Sequence, residues 1–141
     1  MSPKRLDRVA PPPAGGEWDI RFGTNEAAKG WDALCAHART NTRAAFELMR
    51  SRPRFPEDAT HYRLRGELST RIFGGRALEQ WQIKVSSSGR IWYLPDDSKH
   101  TIWVIKATPA HPKETEQKVR GAQLAVLCAV SSLTSRANRS A

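Results

Sequence analysis

An α+β fold is what this chain predicts: an N-terminal helical hairpin packed on a small antiparallel β-sheet, with a C-terminal helix. Three observations predict it. Apolar residues recur at helical spacing in two consecutive stretches between residues 25 and 52. Three later stretches, between residues 81 and 107, are strand-like and joined by short turns, and such turns force antiparallel neighbours. Beyond Pro112 helical spacing returns. Helices and strands segregated in this way give an α+β domain rather than a βαβ array.

Residues 1–16 carry Lys4, Arg5 and Arg8, then Pro11-Pro12-Pro13 and Gly15-Gly16. Such a composition buries little apolar surface, so a flexible tail is expected there. A single domain is expected over 17–136, with a flexible end over 137–141. Trp18, Ile20 and Phe22 alternate with Asp19 and Arg21, the period of a short strand. Thr24 or Asn25 can cap the next helix. Ala27, Trp31, Leu34, Cys35 and Ala38 carry that helix to about His37. A second helix is expected from about Thr42 to Arg52, with Ala45, Phe46, Leu48 and Met49 as its apolar side, ended by Pro53 and Pro56. The short link makes the two helices an antiparallel hairpin.

Residues 55–75 read as basic and irregular. Between Arg39 and Arg76 there are nine arginines against four acids. A solvated face and a nucleic-acid footprint both fit that charge. Trp81, Ile83 and Val85 then alternate with Gln82, Lys84 and Ser86, and Ser86–Gly89 form a turn. Arg90–Leu94 make the next strand, Pro95–Ser98 a second turn, and Thr101–Ala107 a more continuously apolar central strand. His100 falls at a turn and His61 in a loop. A last helix is expected from about Pro112 or Lys113 to Arg136, and its QLAVLCAV stretch needs burial on most sides.

The 141 residues carry a net charge of +9, which favours a polyanionic partner but speaks to association only. Cys35 and Cys128 lie in apolar, helix-like segments and read as buried free thiols. No Cys/His cluster suggests a metal site. The N-terminus has no apolar signal region, and the longest apolar run is too short to span a bilayer. A soluble, cytoplasmic protein is the expectation. GxGxxG, GxxxxGK[ST] and GxSxG are all missing.

Chemistry concentrates on WQIKVSSSGRIWYL, residues 81–94. Lys84 alternates away from Trp81, Ile83 and Val85, and Arg90 away from Ile91 and Tyr93. Both cations therefore share one face of the sheet. Two cations that close repel unless an anion lies between them, and Arg and Lys are both suited to phosphate. Two solvated charges remain the plainer reading. Trp92 shares the Arg90 face and could stack on a base. His111, just after the central strand, is the best acid/base candidate among the four histidines.

FGTNEAAKGWDAL, then Leu64-Arg65-Gly66, then WQIKVSSSGRIWYLPDDSKHTIWVIKA resemble the RelE/ParE superfamily of bacterial toxins, over roughly Trp18 to Glu116. The resemblance implies a type II toxin–antitoxin component with a cognate antitoxin as partner. In its RelE branch it implies cleavage of mRNA in the ribosomal A site, without cofactor or metal. On that pattern the catalytic residues are Lys84, Arg90 and His111: Lys84 matches a strand lysine that is a general-base candidate, Arg90 an arginine that stabilises phosphate, and His111 a late residue that could be the general acid. Arg63, Arg65, Trp92 and Lys113 are the expected RNA- and phosphate-binding residues. Glu116 stands where the family commonly has a tyrosine, and the family's late arginine has no clear match. The ParE branch, which poisons DNA gyrase without nuclease chemistry, and an inactive binding module on the same fold are the alternatives.

Overall fold

A computed structural model describes residues 4–110. Contacts divide the chain into two compact units, Met1–Pro109 and Ala110–Ala141. In chain order the first unit holds β1 (Asp19–Phe22), α1 (Asn25–His37), α2 (Arg39–Ser51), β2 (His61–Arg63), a short 3-10 turn (Gly66–Ser69), β3 (Thr70–Phe73), β4 (Arg76–Glu79), β5 (Trp81–Lys84), β6 (Arg90–Asp96) and β7 (Thr101–Thr108).

The two helices form where the spacing places them. Thr24 caps α1 by accepting from the Ala27 amide at 3.0 Å. Only Ala38 separates the helices, so α2 begins at Arg39 rather than at Thr42. Ala27, Leu34, Ala45 and Met49 face the main core with Trp81, Ile83, Ile91, Tyr93, Ile102 and Val104.

The main sheet has five strands in the order β1-β7-β6-β5-β2. Its pairings β2–β5, β5–β6 and β6–β7 are antiparallel, but β1 runs parallel to β7, so the expected purely antiparallel sheet is corrected to a mixed one. The turn argument governs only consecutive strands, and β1 and β7 lie at opposite ends of the unit. What sets the direction of β1 is the docking of α1. The Thr24 hydroxyl donates to the Ile105 carbonyl at 2.9 Å, and the Gly23 amide donates to that of Val104. At Gly30 an added Cβ would sit 1.5 Å from the Ala107 carbonyl oxygen, so helix and strand backbones meet there.

Residues 55–75 are the second correction. They are not irregular: they hold β2, the 3-10 turn and β3, and β3 pairs with β4 in a separate two-stranded sheet. A lone hairpin is barely stable in water. This one contributes Leu78 and Phe73 to a second small core with Leu94, Ile105 and Trp103. Alternation places Leu94 on the face of β6 opposite Tyr93, so this core lies across the main sheet from the helices. A bulge supplies the matching residue on β7: Trp92 pairs with Lys106 but Tyr93 with Val104, leaving Ile105 as the extra residue. The length of β6 is also corrected, since Pro95 and Asp96 belong to it rather than to the turn.

His61 is buried on β2 rather than placed in a loop. Its Nδ1 lies 2.7 Å from the Pro56 carbonyl, and its Nε2 meets the Pro53 carbonyl and the Tyr93 hydroxyl. This cluster ties the segment after α2 to the middle of the sheet. Burial pushes the Tyr93 phenol well above its ordinary value. Cys35 is half-buried, and burial raises its thiol, while Cys128 lies outside the described residues. The C-terminal helix expected from about Pro112 to Arg136 also lies outside them; helices among the described residues are confined to 25–51.

Candidate phosphate-binding site

The β5–β6 hairpin sets Lys84 directly opposite Arg90 in the strand register. The Ser86 hydroxyl accepts from the Gly89 amide at 2.8 Å and closes the turn between them. As alternation requires, both cations stand on the face away from Ile83 and Ile91, whose side chains lie in the main core. Tyr62, Gln82 and Trp92 share that face, since Tyr62 pairs with Gln82 and Gln82 with Trp92.

The two cations differ in setting. Lys84 is exposed, and its Nζ lies 5.6 Å from the centre of the Tyr62 ring, in cation–π reach. Arg90 is only 6% exposed. Its Nη1 donates to the carbonyls of Ser86 and Gly89 at 3.0 and 2.9 Å. Its buried Nε has no partner. Burial lowers the Arg90 guanidinium below its ordinary value, and nearby Tyr62 opposes the shift. Neither cation has a carboxylate partner among the described residues.

That distinguishes this pair from five of the nine arginines in the stretch before it. Arg43, Arg50, Arg54, Arg63 and Arg76 each pair with a carboxylate: Glu47 for Arg43, Glu47 and Glu17 for Arg50, Glu79 and Asp97 for Arg54, Glu79 for Arg63, and Asp96 for Arg76. Five of the nine arginines that looked like a broad footprint are thus paired with acids.

Of the expected binding residues, Arg63 is engaged by its own neighbourhood. Its Nε donates to the Ser69 carbonyl at 3.0 Å and its Nη2 to the Thr70 hydroxyl at 3.1 Å. Arg65 is exposed at the start of the 3-10 turn, outside the Lys84–Arg90 pairing. Trp92 shares the expected face; it is 1% exposed, with its indole N–H given to Gln82 Oε1 at 2.7 Å. The Lys106 Nζ lies 5.3 Å from its ring centre. His111 and Lys113 lie outside the described residues.

Tyr62 and Gln82 do not stand out in the sequence. Gln82 Nε2 donates to the Tyr62 hydroxyl at 2.7 Å. A signal exists in the three residues His61-Tyr62-Arg63, which alternate inward and outward, but three residues are too few to establish a period.

No group of three or more His, Cys, Asp or Glu side chains among the described residues could hold a metal ion. No helix there is long and apolar enough to cross a membrane. No family model, no curated protein and no solved structure matches this chain. The site therefore has to be read from its own geometry: an exposed ammonium, a phenol beside it and a buried guanidinium behind them suit an anion with several acceptor oxygens.

Proposed function

We propose that this chain is the toxin of a type II toxin–antitoxin pair and cleaves mRNA on the ribosome. One observation carries the reading: Lys84 and Arg90 face each other across the hairpin with no carboxylate to neutralise them among the described residues. Two such charges on one face attract a phosphodiester. The RelE/ParE resemblance of Leu64-Arg65-Gly66 and of residues 81–107 supports the reading, although β2 and the β3–β4 hairpin lie outside the order that resemblance implies.

In this reading the 2′-hydroxyl of the message attacks the adjacent phosphorus. The bond to the 5′-oxygen breaks, leaving a cyclic phosphate on one fragment and a 5′-hydroxyl on the other. Charge on the phosphoryl oxygens grows toward the transition state. Preorganised cations at that point contribute more there than in the ground state. Lys84 meets the phosphate from the solvent side, and Arg90 supplies a fixed positive charge from behind the turn. The ribosome positions the message, which supplies the orientation a small domain cannot. An acidic antitoxin is the matching partner for the uncompensated cations.

The test is induced expression with mapping of RNA 5′ ends, beside thermal melts of the purified variants. Wild type is expected to stop growth and to create new 5′ ends within codons. Lys84→Ala, at an exposed position, is expected to keep the melting temperature and lose the cleavage. Growth arrest with intact messages and double-strand DNA breaks would replace this reading with gyrase poisoning.

A further inference from the structure

We infer that Tyr62 is a phosphate-binding residue, with its hydroxyl held by Gln82 and Trp92 so that it can only donate to the bound anion. This rests on the reading of the Lys84–Arg90 face as a phosphate site.

The geometry is one of donors and acceptors. The Trp92 indole N–H is a donor and nothing else. It sits 2.7 Å from Gln82, so the Gln82 atom it meets must be the carbonyl oxygen, which fixes the orientation of the amide. The amide nitrogen then points at the Tyr62 hydroxyl at 2.7 Å and donates to it. The Tyr62 oxygen is thus already an acceptor. Its own proton has no acceptor among the described residues and is left to donate away from Gln82. Gln82 and Trp92 are 2% and 1% exposed, so water does not compete for this relay. The same tyrosine ring lies under Lys84, and its hydroxyl is an electrostatic neighbour of Arg90. An oriented O–H beside two cations fits an anionic oxygen, and a phosphodiester offers two unbridged ones.

The relay also explains why a glutamine and a tryptophan occupy buried positions on this face. Apolar side chains at both places would leave the Tyr62 hydroxyl free to turn either way.

The probe is a labelled single-stranded oligoribonucleotide with 2′-O-methyl groups, which cannot be cut, titrated into the full chain at low salt. Tyr62→Phe keeps the ring under Lys84 and removes only the hydroxyl. It is expected to weaken binding about tenfold, the effect of one hydrogen bond to a charged group, with the melting temperature unchanged. Trp92→Phe frees the amide and is expected to weaken binding less. The double variant is expected to bind no more weakly than Tyr62→Phe alone, because both changes act through one hydroxyl. Equal affinity of wild type and Tyr62→Phe overturns the inference, and so does wild type that fails to bind. Cleavage on ribosomes is read separately. Cleavage by wild type with undiminished binding by Tyr62→Phe keeps the nuclease and removes Tyr62 from it. Weakened binding by Tyr62→Phe without cleavage keeps the phosphate site and removes the nuclease.

Discussion

Asp96 shows how a single side chain is held by its surroundings. It is fully buried at the end of β6, and its carboxylate accepts from Arg76, from the Ser98 hydroxyl at 2.9 Å and from the Trp103 indole at 3.2 Å. The Arg76 hydrogen bond is the largest influence, and together these donors hold the acid well below the usual carboxylate range against its burial. A depressed native value means that the group adds stability above its unfolded value, about 4, and loses it as pH falls further. Asp96→Asn keeps the shape and removes the charge. It is expected to cost about 2 kcal/mol at pH 7. Urea titrations of both proteins should show that difference shrinking as pH drops below about 4. The face of Lys84 and Arg90 was legible at this same scale, because strand alternation needs only a few residues of context. The hydrogen bond from Trp92 to Gln82 was not, because it runs between strands, which spacing along one strand does not report.

At the scale of elements, the helices were legible because each carries an apolar stripe and a cap or a proline stop: Thr24 before α1, Pro53 after α2. β2, β3 and β4 were not, because they are three or four residues long and rich in arginine. Their place is set by partners elsewhere, Trp81 and Ile83 for β2, Leu94 and Ile105 for the hairpin. The parallel β1 escaped for a related reason, since no local rule couples residues 19–22 to 101–104. It follows that the α1–β7 contact is a strong constraint on the fold. In Gly30→Ala the new methyl would overlap the Ala107 carbonyl at 1.5 Å, and backbone, unlike a side-chain tip, cannot rotate away. The expected cost is about 3 kcal/mol or more, read as a lowered thermal midpoint with no loss of helix signal before unfolding. Thr24→Ala removes both the cap to Ala27 and the bond to Ile105, and should cost about 1–2 kcal/mol in the same melts.

For the molecule as a whole, the net charge of +9 indicated a polyanionic partner without locating it. The structure narrows the candidates by subtraction: five of the nine arginines of the 39–76 stretch are matched by acids, while Lys84 and Arg90 have no carboxylate partner among the described residues. Two cations on one face of the hairpin can hold an anion between them. A ligand that binds only the folded state stabilises it by RT ln(1 + [L]/Kd), about 1.4 kcal/mol at ten times Kd. Inorganic phosphate should therefore raise the thermal midpoint above that in chloride of equal ionic strength. Phosphate also strengthens apolar burial in every protein by exclusion from its surface, so the midpoint rise alone does not identify a site. Lys84→Ala separates the two effects. It leaves the exclusion unchanged, because one exposed side chain barely alters the surface, but it removes half of the cation pair. The excess of wild type over Lys84→Ala is expected to saturate with phosphate concentration, as site binding does. An excess that is zero, or that grows linearly without limit, would show that Lys84 and Arg90 hold no phosphate.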